Sequence, residues 1–461
     1  MKERIGFASY PDFSGNSKAL FEDMVKNNSN YELIWFCKDK KNAEKLNNIG
    51  INAICDKDEG FIEEFNKTKI IINTHDYYMD IKKDYQVFIN LWHGLGPKKI
   101  GTLADIELDW IYKFSMKNDY LIANGELGRV IFPAIFNKPI EYVKQFSQPR
   151  YKWLFENKGK ENLQKLLNID VKKYNKILMY APTFKKGIGR EDSKFNENNI
   201  LNLNEYDESV LNDYLEKNNI LLLLKLHPVE ESNLKVIDSN NIIKLSDEIM
   251  LDSFITINEL LDGVDLLISD YSSIYIDYIN LERPVLFLDT DKTEYEKNRG
   301  IIFDSLDFWW MAGPKVHDIN SFVYEVDKLF NETSYYREER KTFNKLVNGT
   351  IDKTNEKLID FINNIKSKDK KIENNYGISL LEKKNDLLSA KINDMQKLLD
   401  KYKNETVIKQ EEINNYSKEL EYVKKEYEII YKELESIKYS RSYRIIQKLK
   451  KIKSKNKNME R

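Results

Sequence analysis

Cysteine and histidine are scarce in this sequence, and both scarcities limit the kinds of site it can hold. Among 461 residues there are two cysteines, Cys37 and Cys55, and four histidines. Two cysteines exclude a disulfide scaffold and a four-thiolate metal centre, and their rarity is typical of a reducing compartment. GxGxxG, P-loop, HExxH and CxxC patterns are also missing, which argues against a dinucleotide, a P-loop nucleotide or a metal-bridged donor site. We therefore expect neither a metal nor another cofactor.

The sequence has neither an excess of one charge nor a long hydrophobic run. Lysine plus arginine is 73 and aspartate plus glutamate is 75, a net charge of −2, so binding of nucleic acid over the whole surface is excluded. The apolar run Ile220–Leu224 is bounded by Asn219 and Lys225, whereas a membrane span needs about 20 apolar residues. We expect a cytoplasmic protein that lies peripherally on the inner face of the cell membrane.

Short apolar runs alternate with helical stretches over most of the chain, which predicts parallel sheets covered by helices. The predicted strands are Ile5–Ala8, Tyr31–Cys37, Ile51–Ile54, Lys69–Asn73 and Val87–Trp92, and then Lys176–Tyr180, Ile220–Leu226, Asp265–Ser269 and Val285–Leu288. At about 100–200 residues per domain, we interpret them as two Rossmann-like α/β domains, residues 1–155 and 156–370. A ligand is expected in the cleft between them.

A heptad pattern predicts a coiled coil over residues 375–440. The seam residues are Leu381, Leu388, Ile392, Met395, Leu399 and Tyr402, and then Ile413, Tyr416, Leu420, Val423, Tyr427, Ile430, Leu434 and Ile437. One helix of this length would extend about 90 Å. A solvated helix that folds back on the body is the alternative, but the number of heptads favours a self-associating homo-oligomer.

The last segment, residues 441–461, is basic and has apolar residues at helical spacing. Arg441, Arg444, Lys448 and Lys450 surround Ile445 and its apolar neighbours. Such a helix can lie on an anionic leaflet, at about 1 kcal/mol per basic residue. A soluble tail explains the composition equally well.

Two of the four histidines end predicted strands in matching positions of the two domains. His93 lies in a Trp-His-Gly segment and His227 in a Leu-His-Pro segment. Ligands bind at the ends of strands in such sheets, and an imidazole can accept a hydroxyl proton or carry charge beside a phosphate. Packing is the usual role of a single histidine, and we interpret His75 as packing or cleft lining, but the matching positions of His93 and His227 favour function.

Small polar residues follow the predicted strand that ends at Ser269, before an apparent helix at 274–281. They are Ser269, Asp270, Ser272 and Ser273. Hydroxyls and backbone N–H groups at such a junction can bind an anion, although ordinary capping explains them as well. On the helix, Asp277 could reach a ribose hydroxyl or lie on a solvated face. Further candidates near the strand ends are Lys98, Lys99, Thr183, Lys185 and Arg299.

Five segments together resemble the CDP-glycerol glycerophosphotransferase family, the teichoic-acid polymerases and primases. They are Trp-His-Gly at 92–94 with Lys-Lys-Ile-Gly at 98–101, Tyr-Ala-Pro-Thr-Phe at 180–184, Lys-Leu-His-Pro at 225–228, Ser-Asp-Tyr-Ser-Ser at 269–273 with Asp277, and Glu-Arg-Pro at 282–284 with Arg-Gly at 299–300. Their order and spacing match the family from about residue 4 to residue 345.

The resemblance implies a GT-B fold and transfer of a polyol phosphate, foremost glycerol phosphate, from CDP-glycerol or CDP-ribitol to a hydroxyl of a lipid-linked polymer acceptor. It implies that His93 is the base and that His227 stabilises the donor pyrophosphate. The donor-binding residues it implies are Thr183, Lys185, Ser269, Asp270, Ser272, Ser273, Asp277 and Arg299. On the acceptor and phosphate side it implies Lys98, Lys99 and Arg150.

Three departures from the family pattern concern the acceptor side: Leu-Gly-Pro follows Trp-His-Gly, Pro-Arg-Tyr-Lys stands at 149–152, and Lys185 replaces an arginine. The polyol and the polymer, wall teichoic acid or capsule, stay open. Two other functions also stay open. One is a GT-B glycosyltransferase that uses a nucleotide sugar, and the other is a non-catalytic scaffold built on the coiled coil.

Overall fold

A computed structural model describes residues 2–27, 30–104, 108–183, 186–187, 190–191, 199–226, 239–290, 295–296, 300–303, 310–365, 375–404, 410–439, 445 and 448. The chain divides into two compact units. The first comprises Met1–Ile106 and Lys117–Lys370, and the second comprises Glu107–Met116 and Lys371–Arg461. The first unit contains two lobes, each built on one parallel sheet.

The strands of the first lobe form a seven-stranded parallel sheet in the order β3-β2-β1-β4-β5-β6-β7. They are β1 (Arg4–Phe7), β2 (Glu32–Cys37), β3 (Ala53–Cys55), β4 (Ile70–Asn73), β5 (Val87–Asn90), β6 (Tyr120–Ala123) and β7 (Val143–Gln145). The second lobe has a six-stranded parallel sheet in the order β12-β11-β8-β13-β14-β15. Its strands are β8 (Lys176–Tyr180), β11 (Ile220–Leu224), β12 (Ile242–Lys244), β13 (Leu266–Ser269), β14 (Val285–Leu288) and β15 (Lys315–Val316), and a separate short hairpin pairs β9 (Lys186–Gly187) with β10 (Arg190–Glu191).

The α-helices are numbered in chain order through both units. They are α1 (Gly15–Lys26), α2 (Lys40–Asn48), α3 (Phe61–Lys67), α4 (Leu108–Lys117), α5 (Glu126–Ile135), α6 (Gly159–Leu167), α7 (Glu208–Asn218), α8 (Asp247–Asp252), α9 (Ile274–Tyr278), α10 (Ile319–Asn331), α11 (Arg337–Val347), α12 (Glu356–Asn364), α13 (Asn375–Asn404) and α14 (Gln410–Tyr439). Short 3₁₀ segments lie between them, the longest being Pro149–Phe155 between the lobes.

The continuous apolar runs of the strands are explained by burial of both sheet faces. Successive side chains of β4 point to opposite faces, so Ile70 and Ile72 pack in one core while Ile71 packs in the other. A parallel sheet covered by helices on both sides needs such runs. The prediction of two parallel α/β sheets is confirmed.

Helix α12 packs in the core of the first lobe although it follows the whole second lobe in the chain. Leu358 and Ile362 are buried there beside the first sheet. The predicted division at residue 155 misses that α12 packs on the first lobe, because the sequence of such a short helix does not indicate which lobe it packs on.

The second unit contains an antiparallel helical hairpin, and the expectation of one helix of about 90 Å is wrong. Met395 of α13 packs with Leu420 and Val423 of α14, while Leu388 packs with Ile430. Lys384 pairs with Glu426, at 3.3 Å between Nζ and Oε1. The apolar seam of α13 is therefore covered by α14 of the same chain. Because α14 is tethered to α13, it is present at a higher effective concentration than a helix of another chain.

Tyr112 of α4 also packs against this seam beside Ile430 and Leu434. Of the basic tail, only residues 445 and 448 are among those described. Among the helices in the described ranges, none is long and apolar enough to cross a membrane.

Candidate active site

His93 lies in the turn that follows β5, at the carboxyl edge of the first sheet. The turn is held by its neighbours: the backbone N–H of Trp92 donates to Asn90 Oδ1 at 2.9 Å, and Asn16 Nδ2 donates to the carbonyl of Trp92 at 2.8 Å. Gly94 has a φ of +92°, which favours glycine. The Trp-His-Gly order thus lets the chain reverse so that solvent reaches part of the His93 side chain while protein surrounds the rest.

The surroundings of His93 favour its neutral form. Its pKa is lowered from the ordinary value by desolvation, and further by the positive charge of His75, Arg150 and Lys98. The backbone of Thr74 makes a hydrogen bond that raises the pKa, so the Thr74 carbonyl accepts a ring N–H. The tautomer that donates to Thr74 keeps the other ring nitrogen as an acceptor, as a base needs.

Arg150 joins the His93 turn to the second lobe. Its Nε donates to Asp277 Oδ2 at 3.0 Å and its Nη2 to Asp277 Oδ1 at 2.9 Å, while Nη2 also donates to the His93 carbonyl at 2.9 Å. Asn258 donates to Asp277 Oδ2 at 2.8 Å. Both carboxylate oxygens of Asp277 are therefore engaged by protein groups, and its ribose contact stays a prediction.

The loops after β8 and β13 meet at Asp270 in the second lobe. Asp270 Oδ1 accepts the backbone N–H groups of Thr183 at 2.7 Å and Ser272 at 3.0 Å, and Ser269 Oγ donates to the Ala181 carbonyl at 3.2 Å. The Thr183 hydroxyl is buried and finds no hydrogen-bond partner within the described part of the chain. Asp270 thus orders a surface that offers the Thr183 hydroxyl and the outward-facing Ser272 and Ser273.

The acceptor-side and donor-side loops touch each other across the lobes. The backbone N–H of Ile302 donates to the Pro97 carbonyl at 2.8 Å, and that of Lys99 donates to the Gly300 carbonyl at 3.3 Å. A Cβ built on Gly96 would lie 3.1 Å from Ser273 Cβ. The structure therefore brings the segment after His93 next to Ser273, 177 to 180 residues further along the chain.

Three of the predicted site residues, His227, Lys185 and Arg299, lie outside the described residues, and their roles stay predictions. His93, Lys98, Lys99, Arg150, Thr183, Ser269, Asp270, Ser272, Ser273 and Asp277 come together around the lobe junction through the contacts given above. The sequence reasoning missed Asn16, Thr74 and Asn258, which support this junction. Thr74 directly follows β4, which is a signal of position, whereas Asn16 lies in the first turn of α1 and Asn258 in the 3₁₀ segment Ile257–Glu259, where the sequence gives none.

No group of three or more histidine, cysteine or acidic residues that could hold a metal ion occurs among the residues that the structure describes. Asp289 begins an Asp-Thr-Asp triplet after β14 and accepts the Tyr271 hydroxyl at 2.6 Å. Asp291 of that triplet is not among the described residues.

Proteins with assigned names are similar in sequence to most of this chain. A teichoic acid poly(glycerol phosphate) polymerase of Bacillus spizizenii is 27% identical over 318 residues, which is 65% of this chain and 77% of that protein. A teichoic acid glycerol-phosphate primase of Bacillus subtilis is 26% identical over 375 residues, 77% of this chain and 90% of that protein. The relatives thus include both chain-starting and chain-extending enzymes.

The fold matches a solved structure of the wall teichoic acid polymerase TagF, with a TM-score of 0.65 and 21% identity over 80% of this chain and 90% of that one. This similarity confirms the expected GT-B-type arrangement of the fold. The family described as CDP-glycerol:poly(glycerophosphate) glycerophosphotransferase matches residues 1–370. The chain therefore belongs to the CDP-glycerol:poly(glycerophosphate) glycerophosphotransferase family.

Proposed function

We propose that this protein transfers a polyol phosphate, foremost glycerol phosphate, from a CDP-activated donor to a hydroxyl of a lipid-linked acceptor in teichoic acid synthesis. The observation that carries the proposal is the meeting of the His93 turn with the second lobe, through Gly96 beside Ser273 and through Arg150 bound to Asp277. Family membership supports the same reaction, and the curated relatives carry names for glycerol-phosphate and ribitol-phosphate transfer.

In the proposed step, the acceptor oxygen attacks the phosphorus that carries the polyol, and the pyrophosphate P–O bond breaks. The acceptor proton passes to the free nitrogen of His93, and CMP leaves with the bonding electron pair. Phosphoryl transfer depends on positioning and on stabilisation of charge around the phosphorus. His227 and Arg299 are the proposed partners of the departing phosphate, together with Ser272 and Ser273, and no metal enters the step.

The remaining donor contacts are proposed for Thr183, Lys185, Ser269 and Asp270, and Lys98 and Lys99 are proposed to face the phosphates. Arg150 has a different place in this proposal from the one predicted. Because its guanidinium is bound to Asp277 and to the His93 carbonyl, it positions the base instead of contacting the acceptor directly.

We propose that the protein works peripherally at the inner face of the membrane, where a lipid-linked acceptor is found. The basic composition of residues 441–461 supports this placement. Association of copies through the helical unit is also proposed, but it would use the outer surface of the hairpin, where Tyr422 and Ile429 are 69% and 60% exposed. Liposome flotation and sedimentation of a chain that ends at residue 365 test both, and unchanged behaviour would contradict them.

The test of the reaction is a donor screen with a short lipid-linked acceptor. We expect release of CMP from CDP-glycerol or CDP-ribitol and loss of turnover in His93→Ala with donor binding largely retained. Release of UDP or GDP from a nucleotide sugar would establish the glycosyltransferase instead. If no nucleotide raised the melting temperature, the scaffold function would be favoured.

A further inference from the structure

Three aromatic rings form a group in the first lobe, and one of them lies against His93. The His75 ring lies parallel to the His93 ring, with 5.5 Å between centroids and 15° between planes. Tyr77 stacks on His75 at 6.0 Å, and Tyr10 meets His75 edge-on at 6.0 Å. We call Tyr10, His75 and Tyr77 the ring cluster.

The topology of the first sheet brings these rings together. Tyr10 follows β1, His75 and Tyr77 follow β4, and His93 follows β5, and these three strands are neighbours in the sheet. The carboxyl ends of parallel strands lie on one edge, so residues from distant parts of the chain meet beside the proposed base. Ligands bind at this edge in open α/β sheets.

The ring cluster is open to solvent. Tyr10 is 65% exposed, and His75 and Tyr77 are half-buried. Pockets for small molecules combine such aromatic faces with a few polar groups.

The charges next to the ring cluster are mainly acidic. Burial, followed by the nearby Tyr10 hydroxyl and three carboxylates, raises the pKa of Tyr77 to about 12; the carboxylates belong to Asp12, Asp76 and Asp56. Lys38 lies over the rings of Tyr77 and Tyr78, but its Nζ is 2.6 Å from Asp56 Oδ2. A phosphodiester placed here would meet net negative charge, whereas phosphate binding calls for unpaired lysine or arginine.

The basic residues of the acceptor-side turn lie elsewhere. Lys98 and Lys99 belong to the segment whose backbone pairs with Gly300 and Ile301 of the second lobe. They are therefore placed beside the donor-side loop, whereas the ring cluster is built from turns of the first lobe alone. The two groups differ in chemistry: lysines accompany the donor-side loop, and acids accompany the aromatic rings.

We propose that the ring cluster is the acceptor subsite and that it takes a neutral sugar ring. The C–H face of a pyranose would pack on the exposed ring of Tyr10, its hydroxyls would reach the Tyr77 hydroxyl and Asp76, and one hydroxyl would lie beside His93. This inference rests on the proposed function and makes it narrower. The preferred acceptor ends in a sugar, and a chain that already ends in a polyol phosphate is a poorer acceptor.

The kinetic test compares two acceptors on the same lipid, one that ends in a sugar and one in which that sugar already carries one glycerol phosphate. We expect the wild type to favour the sugar-terminated acceptor by about tenfold or more in kcat/KM. Tyr10→Ala should raise the KM for this acceptor about tenfold while the KM for CDP-glycerol changes little, because only a stacking contact is lost. Tyr10→Phe, which keeps the ring, should stay close to the wild type.

Tyr324 provides a matched control, since it is 63% exposed on α10 of the second lobe. Tyr324→Ala should leave both KM values unchanged. A wild type that prefers the glycerol phosphate-terminated acceptor would overturn the proposal, and so would an unchanged acceptor KM in Tyr10→Ala.

A binding measurement separates this proposal from the proposed reaction. Saturation-transfer NMR is carried out with the methyl glycoside of the acceptor's terminal sugar, free of lipid and without any donor. It reports contact between the sugar protons and the protein. Transfer that is present in the wild type and lost in Tyr10→Ala supports the subsite even if no CMP is ever released, in which case the proposed reaction alone fails. CMP release together with no transfer to the sugar would reject the subsite alone.

Discussion

Arg150 and Asp277, 127 residues apart, form a buried ion pair with two hydrogen bonds, and the same guanidinium holds the backbone carbonyl of His93. The pair connects the segment between the lobes, the second lobe and the turn of the proposed base. A change at Arg150 should therefore affect both stability and catalysis, and the two effects can be separated.

Arg150→Met leaves the Asp277 carboxylate buried without its partner, so we expect the free energy of unfolding to fall by about 3–5 kcal/mol. Adding Asp277→Leu removes the buried charge and should restore much of this stability, measured by urea unfolding. CMP release should stay low in the double variant, because the His93 carbonyl has lost its donor. Full recovery of activity in the double variant would contradict the positioning role of Arg150.

The pH dependence of kcat/KM should report the lowered pKa of His93. A base acts in its neutral form, which exists above its pKa and is lost as the pH falls through it. Because desolvation and nearby cations lower this pKa from an ordinary value near 6.5, we expect full activity at pH 7 and an acid limb below about pH 6.5. An acid limb above that pH would contradict the assignment.

Substitution of His93 measures how much general base catalysis contributes to kcat. We expect His93→Ala to lower kcat by about 10²–10⁴-fold, the usual contribution of general base catalysis. His93→Gln is the matched control, because it keeps a polar side chain but cannot take the proton. Similar losses in both variants, with an unchanged melting temperature, would support the base; a nearly active His93→Gln would argue against it.

The buried Thr183 hydroxyl should bind the donor. Thr183→Val keeps the shape and removes a hydroxyl that has no hydrogen-bond partner among the described residues. We expect the KM for the CDP donor to rise about fivefold to tenfold, the worth of about one hydrogen bond, and thermal stability to be kept. Thr183→Ser should behave like the wild type, and an unaffected KM in Thr183→Val would exclude a donor contact.

The helical hairpin can be tested by cross-linking. Lys391 of α13 and Glu419 of α14 are paired, with 3.4 Å between Nζ and Oε1, so cysteines at both positions should be joined within one chain by a short bismaleimide. We expect a monomer band on a denaturing gel, because both introduced cysteines belong to the same chain. The native Cys37 and Cys55 are buried and should not react with the reagent. Mainly covalent dimers would indicate that the seam pairs between chains.

Patterns that act over a few residues predicted most of the fold and part of the site. The strand β5 and the polar turn at His93 could be predicted because burial and turn chemistry are both local. The same holds for β13 and the residues Ser269–Ser273 that follow it.

The contacts that could not be predicted join residues that are far apart in the sequence. The pairing of Arg150 with Asp277 depends on how two lobes meet, and a single sequence does not record that. A heptad seam indicates a partner helix but not which one, so the pattern alone predicts a single helix across α13 and α14. The sequence alone indicates packing or cleft lining for His75, because its stacking on His93 arises only from the order of strands in the sheet.

The passage of the chain between the lobes has a mechanical consequence. It crosses once at Pro149–Phe155 and again before α12, and Asn355 Nδ2 donates to the Pro149 carbonyl at 3.2 Å, so the two crossings adjoin. Two adjoining covalent links tether the lobes at one place, so any opening between the lobes would pivot there. Opening about that place would separate the Gly96 and Ser273 loops, and closing would bring the same two loops together again.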